Sequence, residues 1–141
     1  MYIDQVLKKI DSDPRQIEFI TKMDTEKEIG VEIAYADGME YFVQFASEEE
    51  RSVFWDELIK TSFLPMRFYD TLLMPTYLRK LEIDRSDEND PVIMLTFTDH
   101  LRVIRSYQNN NDLKNDFWKL TRLLSAYQDD CANAFYPTIK Q

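Results

Sequence analysis

Residues 31–58 read VEIAYADGMEYFVQFASEEERSVFWDEL, and this stretch decides the fold. Two short runs of alternating apolar residues, 29–36 and 39–46, meet at Asp37-Gly38. A period of two is the mark of a half-buried strand, and an Asp-Gly pair supplies the positive φ values of a type I′ hairpin turn. Ser47 and Glu50 then stand at capping-box spacing, where side chains and backbone N–H groups satisfy one another at a helix start. The predicted helix runs to about Ser62, with Phe54, Trp55, Leu58 and Ile59 on one face.

The pattern recurs 62 positions further along. Val31, Ile33 and Tyr35 fall on Ile93, Leu95 and Phe97; Asp37 falls on Asp99, Met39 on Leu101, Phe42 on Ile104 and Phe45 on Tyr107. Ser47-x-x-Glu50 falls on Asn109-x-x-Asp112, and Trp55 and Leu58 fall on Phe117 and Leu120. Identities are few, so what repeats is a hydropathy pattern at fixed period.

The remaining segments fit around these two blocks. Val6, Leu7 and Ile10 form a helical stripe that Asp11-Ser12-Asp13-Pro14 ends, and residues 16–23 read as a strand. Residues 66–73 read as a short helix stopped by Pro75, the counterpart of the N-terminal one. Residues 77–83 read as a strand, and 92–98 and 101–107 as a second hairpin across Asp99-His100. Asn110 or Asn111 is the expected cap of a last helix with the stripe Leu113, Phe117, Leu120, Leu124, Tyr127. The expected fold is α+β: two α-β-β-β-α pseudo-repeats, 1–64 and 65–128, in one domain of 141 residues with a tail at 129–141. Their antiparallel meanders form either one six-stranded sheet or two sheets, packed against helices.

Composition narrows the function classes. At 44% hydrophobic the chain can bury a real core, and it has neither an apolar run of membrane-spanning length nor the pattern of a signal peptide. The net charge of −9 disfavours direct binding to nucleic acid or anionic lipid, both of which need a cationic footprint. The single Cys131 excludes an internal disulfide and fits a reducing, cytoplasmic setting. With only Gly30 and Gly38, the chain cannot build a glycine-rich phosphate loop, and no cofactor is expected.

Chemical motifs are scarce. His100, the only histidine, sits beside Asp99 at a turn, and one histidine with one cysteine cannot supply a structural zinc site. The run Asp84–Asp90, DRSDEND, resembles a calcium loop only superficially: an EF-hand needs glycine at its sixth position and a bidentate Glu at its twelfth, where Asn89 and Leu95 stand. Phe54-Trp55 and Phe117-Trp118 each place two adjacent rings on a helix, so one of each pair is expected at the margin of the apolar face.

Two acidic loops form the candidate site: Asp24, Glu26 and Glu28 in the first strand–strand loop, and Asp84, Asp87, Glu88 and Asp90 in its counterpart. Such loops would steer a basic protein towards the molecule. The run YFVQFASEEERSVFWDELI (residues 41–59) resembles the closing strand and C-terminal helix of a pleckstrin-homology domain, although too few strands precede it and no basic inositide-binding loop is present. In size, acidity and element order the chain is similar to type III secretion chaperones and to some bacterial toxin-immunity proteins. The expectation is a non-enzymatic, acidic protein-binding module that occludes a basic partner such as a nucleic-acid-acting enzyme or toxin, in the manner of an inhibitor or immunity protein. A homodimer is compatible with it. The alternatives are a secretion-type chaperone for apolar segments and an enzyme with an unrecognised carboxylate site.

Overall fold

The computed structural model describes residues 2–12, 17–61, 64–97, 101–125 and 138–140, and in it the chain is α+β, with helices packed on antiparallel sheets. It divides into two compact units, Met1–Met74 and Pro75–Gln141. The turn Asp99-His100, Cys131, Phe135 and Tyr136 lie outside the described residues.

The first unit contains helix α1 (Tyr2–Ser12), strands β1 (Ile17–Asp24), β2 (Ile29–Tyr35) and β3 (Glu40–Phe45), helix α2 (Glu48–Thr61), and strands β4 (Met66–Phe68) and β5 (Thr71–Leu73). The strands form one sheet in the order β3-β2-β1-β5-β4, antiparallel throughout. Alternation sends Val31, Ile33 and Tyr35 to one face, where they meet Val6 and Ile10 of α1 and Phe54, Trp55 and Leu58 of α2. Both rings of the Phe54-Trp55 pair are therefore in the core, and Ile59 is the residue left at the margin.

Three expectations need correcting. Residues 66–73 form the β4–β5 hairpin instead of a helix: β5 hydrogen-bonds to β1, and Tyr69 turns the chain with φ 52°. Three-residue strands carry almost no period of their own, so the partner strand decides their conformation. The turn between β2 and β3 is not type I′ either. Gly38 N–H donates to Tyr35 O at 3.0 Å and Tyr35 N–H to Met39 O at 2.9 Å, and Gly38 alone holds positive φ, at 89°. This is a four-residue turn followed by a glycine bulge, with Met39 N–H capped by Asp37 Oδ1 at 3.0 Å. The α-β-β-β-α order is consequently not repeated, because the segment expected to open the second copy completes the first unit's sheet.

The second unit starts with a 3-10 turn (Pro75–Tyr77) and continues through β6 (Leu78–Asp84), β7 (Val92–Phe97), β8 (Arg102–Ser106), helix α3 (Asn110–Ser125) and β9 (Thr138–Lys140). Its sheet has the order β8-β7-β6-β9, with β9 pairing parallel to β6. Among the described residues the strands thus form two sheets and not one. Leu113, Phe117, Leu120 and Leu124 make the buried stripe of α3, which packs on β7. Each β7–β8 pair is a β2–β3 pair moved by 62: Val31↔Val43 becomes Ile93↔Arg105, and Gly30↔Gln44 becomes Val92↔Ser106. The first strand of each meander also carries a register shift near its start, at Ile17/Phe19 and at Leu78/Lys80.

Candidate functional site

The antiparallel register sets the position of the first acidic loop. β1 ends at Asp24, β2 begins at Ile29, and Ile29 pairs with Phe45 at the end of β3. Ser47 follows at once, accepting the Glu50 N–H at 3.1 Å, and α2 begins. One end of the sheet therefore gathers Asp24, Glu26 and Glu28 from the loop together with Glu48, Glu49 and Glu50 from the first turn of α2. The helix dipole favours the carboxylates in that turn.

Arg51 ties this end together, a role the sequence did not disclose. The residue is 5% exposed, and its guanidinium contacts Asp24 through both terminal nitrogens, contacts Glu48 Oε1, and donates to Gly30 O at 3.1 Å. Asp24 is therefore held in a structural ion pair. The carboxylates of Glu26, Glu28, Glu49 and Glu50 have no ion pair among the described residues and face water, with Glu28 and Glu50 half-buried at the base. Thr25 Oγ1 accepts the Glu28 N–H at 3.1 Å and fixes the loop backbone.

The second loop is built separately. Asp84 Oδ1 accepts the Ser86 N–H at 2.8 Å and its hydroxyl at 2.5 Å, and Asp87 Oδ1 accepts the Asn89 N–H at 3.0 Å. These carboxylates act first as turn formers, one oxygen at a time. Glu88 and Asp90 are exposed. Asn109, one residue before the expected cap, accepts the Asn111 N–H at 2.8 Å and the Asp112 N–H at 3.4 Å. Arg85 donates to Asn110 Oδ1 at 2.9 Å, so this loop too is tied to a helix start. Arg85, Glu88, Asn89, Pro91, Gln108 and Asn110 surround an open cleft of about 420 Å³.

A further carboxylate pair lies on the sheet of the first unit. Glu32 on β2 and Glu40 at the start of β3 are diagonal neighbours, since Glu32 pairs with Phe42 and Ala34 with Glu40. Burial, then the hydrogen bond to Glu40 and then its charge push Glu32 up to about 7 from 4.5. Neither residue stood out in the sequence, because only the strand register brings them together. Phe42 lies across Gly30 on the same face: a Cβ on Gly30 would overlap the Phe42 ring and come within 2.8 Å of Val43 O.

Among the described residues no cluster of three or more His, Cys, Asp or Glu could hold a metal ion, and no helix is long and apolar enough to cross a membrane. Comparisons with protein-family models, curated proteins and solved structures find no match to this chain.

Proposed function

We propose that the chain is a small cytoplasmic protein-binding module that occludes a basic partner through carboxylate-rich loops, as an inhibitor or immunity-type protein does, without catalysis of its own. One observation carries this reading. The end of the first sheet concentrates loop and helix carboxylates while its central cation, Arg51, is occupied by Asp24 and Glu48. The field left over is negative, and it would steer and orient a cationic surface. In the first unit Asp24 serves by position and Glu26 and Glu28 are the contacts offered to the partner; in the second unit, taken by itself, Glu88 and Asp90 are the exposed contacts and Asp84 and Asp87 shape their loop.

The test starts with affinity capture from native lysate and continues with the purified partner. Titrations at about 50 and about 500 mM salt use the wild type, Glu26→Gln/Glu28→Gln and Asp87→Asn/Glu88→Gln/Asp90→Asn. A basic partner whose affinity falls about tenfold or more with salt, and again with loop neutralisation, supports the proposal. Binding indifferent to both would reject it, and salt-resistant capture of apolar segments would favour the secretion-type chaperone.

The enzyme alternative retains one specific observation, the Glu32–Glu40 pair with its raised Glu32. A metabolite screen in which ligand-induced thermal shifts vanish in Glu32→Gln would favour it.

A further inference from the structure

Helix α3 is full on its inner side, where Leu113, Phe117, Leu120 and Leu124 are buried, yet Trp118 is 55% exposed on the other. Lys114 and Arg122 stand one turn to either side of Trp118, at i, i+4 and i+8, so one ridge reads cation, apolar, cation. Neither cation has an ion pair among the described residues. In a chain of net charge −9, this is a local reversal of sign.

Helix α2 has the complementary ridge. Its inner side holds Phe54, Trp55 and Leu58, and its outer side presents Glu49, Val53 and Asp56 at i, i+4 and i+7. Val53 is 52% exposed, and Glu49 and Asp56 have no ion pair among the described residues. The ridges span about 10 and about 12 Å at 1.5 Å per residue, so their charges can meet while Trp118 covers Val53.

We propose that a second copy of this chain is the occupant of the α3 ridge, through the α2 ridge that it presents. The contact joins two different surfaces, and is heterologous. An apolar centre rimmed by opposite charges gives it both attraction and register. A single helix-on-helix contact is small for a stable assembly, so the association is weak and reversible. The inference uses none of the loop carboxylates and shares only Glu49 with the acidic end, so it stands whether or not a basic partner binds there.

Sedimentation velocity from about 10 μM to about 1 mM protein reads the association directly. The wild type is expected to associate reversibly, and less at about 500 than at about 50 mM salt. Lys114→Glu/Arg122→Glu and Glu49→Lys/Asp56→Lys should each lose about tenfold or more in association constant, and the two variants mixed should recover it as a hetero-complex. All four positions are exposed, and matched thermal melts verify that each variant folds. Trp118→Ala provides a neutral second probe and should also weaken the contact. A wild type monomeric across the range, charge reversals without effect, or no recovery on mixing would each overturn the proposal.

Discussion

Replacing Arg51 by Leu tests the account of the acidic end most sharply. The substitution removes the donors to Asp24, Glu48 and Gly30 O at once. The side chains of Asp24 and Glu48 are 56% and 61% exposed, so water takes over much of what they lose, and each interaction contributes about 0.5–1 kcal/mol. The carbonyl of Gly30 keeps its partner across the β1–β2 ladder and loses a charged second donor, a bond worth about 1–3 kcal/mol. Removing the burial cost of the guanidinium offsets part of this. The expected loss is about 2–4 kcal/mol, against about 0.5–1.5 kcal/mol for Asp24→Asn, which leaves Arg51 bonded to Glu48 and Gly30.

Urea unfolding followed by tryptophan fluorescence suits the measurement, because Trp55 is buried in the first unit whereas Trp118 is already largely in water. The emission change therefore reports mainly the first unit, and a shift of midpoint at constant slope converts to free energy. A loss below about 1 kcal/mol for Arg51→Leu would refute the assignment of Arg51 as the tie. So would an Asp24→Asn variant as unstable as Arg51→Leu, since the whole effect would then reside in one half-exposed carboxylate.

Three other outcomes follow from single geometries. Gly30→Ala should destabilise by about 1–3 kcal/mol in urea melts, because the new Cβ meets the Phe42 ring and Val43 O; Phe42→Ala combined with it should restore only part, since the backbone oxygen remains. Ser47→Ala and Asn109→Ala should each cost about 1 kcal/mol by removing the acceptor for the first helical N–H groups of α2 and α3, again read from urea midpoints. Glu32→Gln should raise the melting temperature at pH 8 and leave it nearly unchanged at about pH 4. The folded state binds the Glu32 proton up to about pH 7 and the unfolded state only to about 4.5, so wild-type stability falls as pH rises across that window. The span corresponds to about 3 kcal/mol for a fully buried acid, and water at the half-buried Glu32 reduces it to about 1–2 kcal/mol.

What could be read in advance was what the chain states locally. Alternation in residues 29–36, Asp37-Gly38, and Ser47 before an apolar helical stripe each carry their own structural preference, so β2, β3 and α2 were legible together. The stripe of α3 was legible for the same reason. Whatever depended on a distant partner was not. Met66–Phe68 is a strand because β5 pairs with β1, and Thr138–Lys140 is one because it lies beside β6. Glu32 and Glu40 are eight positions apart in the sequence and become neighbours only through register. The acidic loops were found as clusters of charge, but Arg51, which separates a structural aspartate from the free carboxylates around it, looked like any charged residue of a helix.

The role of that arginine is clarified by the second unit. Arg51 N–H donates to Ser47 O, and at the equivalent place in α3 Leu113 N–H donates to Asn109 O, with Leu113 wholly buried. A helix start of this geometry can thus be seated by an ordinary apolar side chain, and seating α2 does not require a buried cation. What Arg51 adds is reach: it holds Asp24 and Glu48 while leaving Glu26, Glu28, Glu49 and Glu50 directed to water. Replacing the whole triad, with Arg51→Leu, Asp24→Ser and Glu48→Ala together, should therefore cost no more than Arg51→Leu alone, because it also removes two of the like charges crowded at this end. If the triple variant is the less stable of the two, Asp24 and Glu48 stabilise this end by some means other than their ion pairs with Arg51, and the division between holding and binding carboxylates at this end fails.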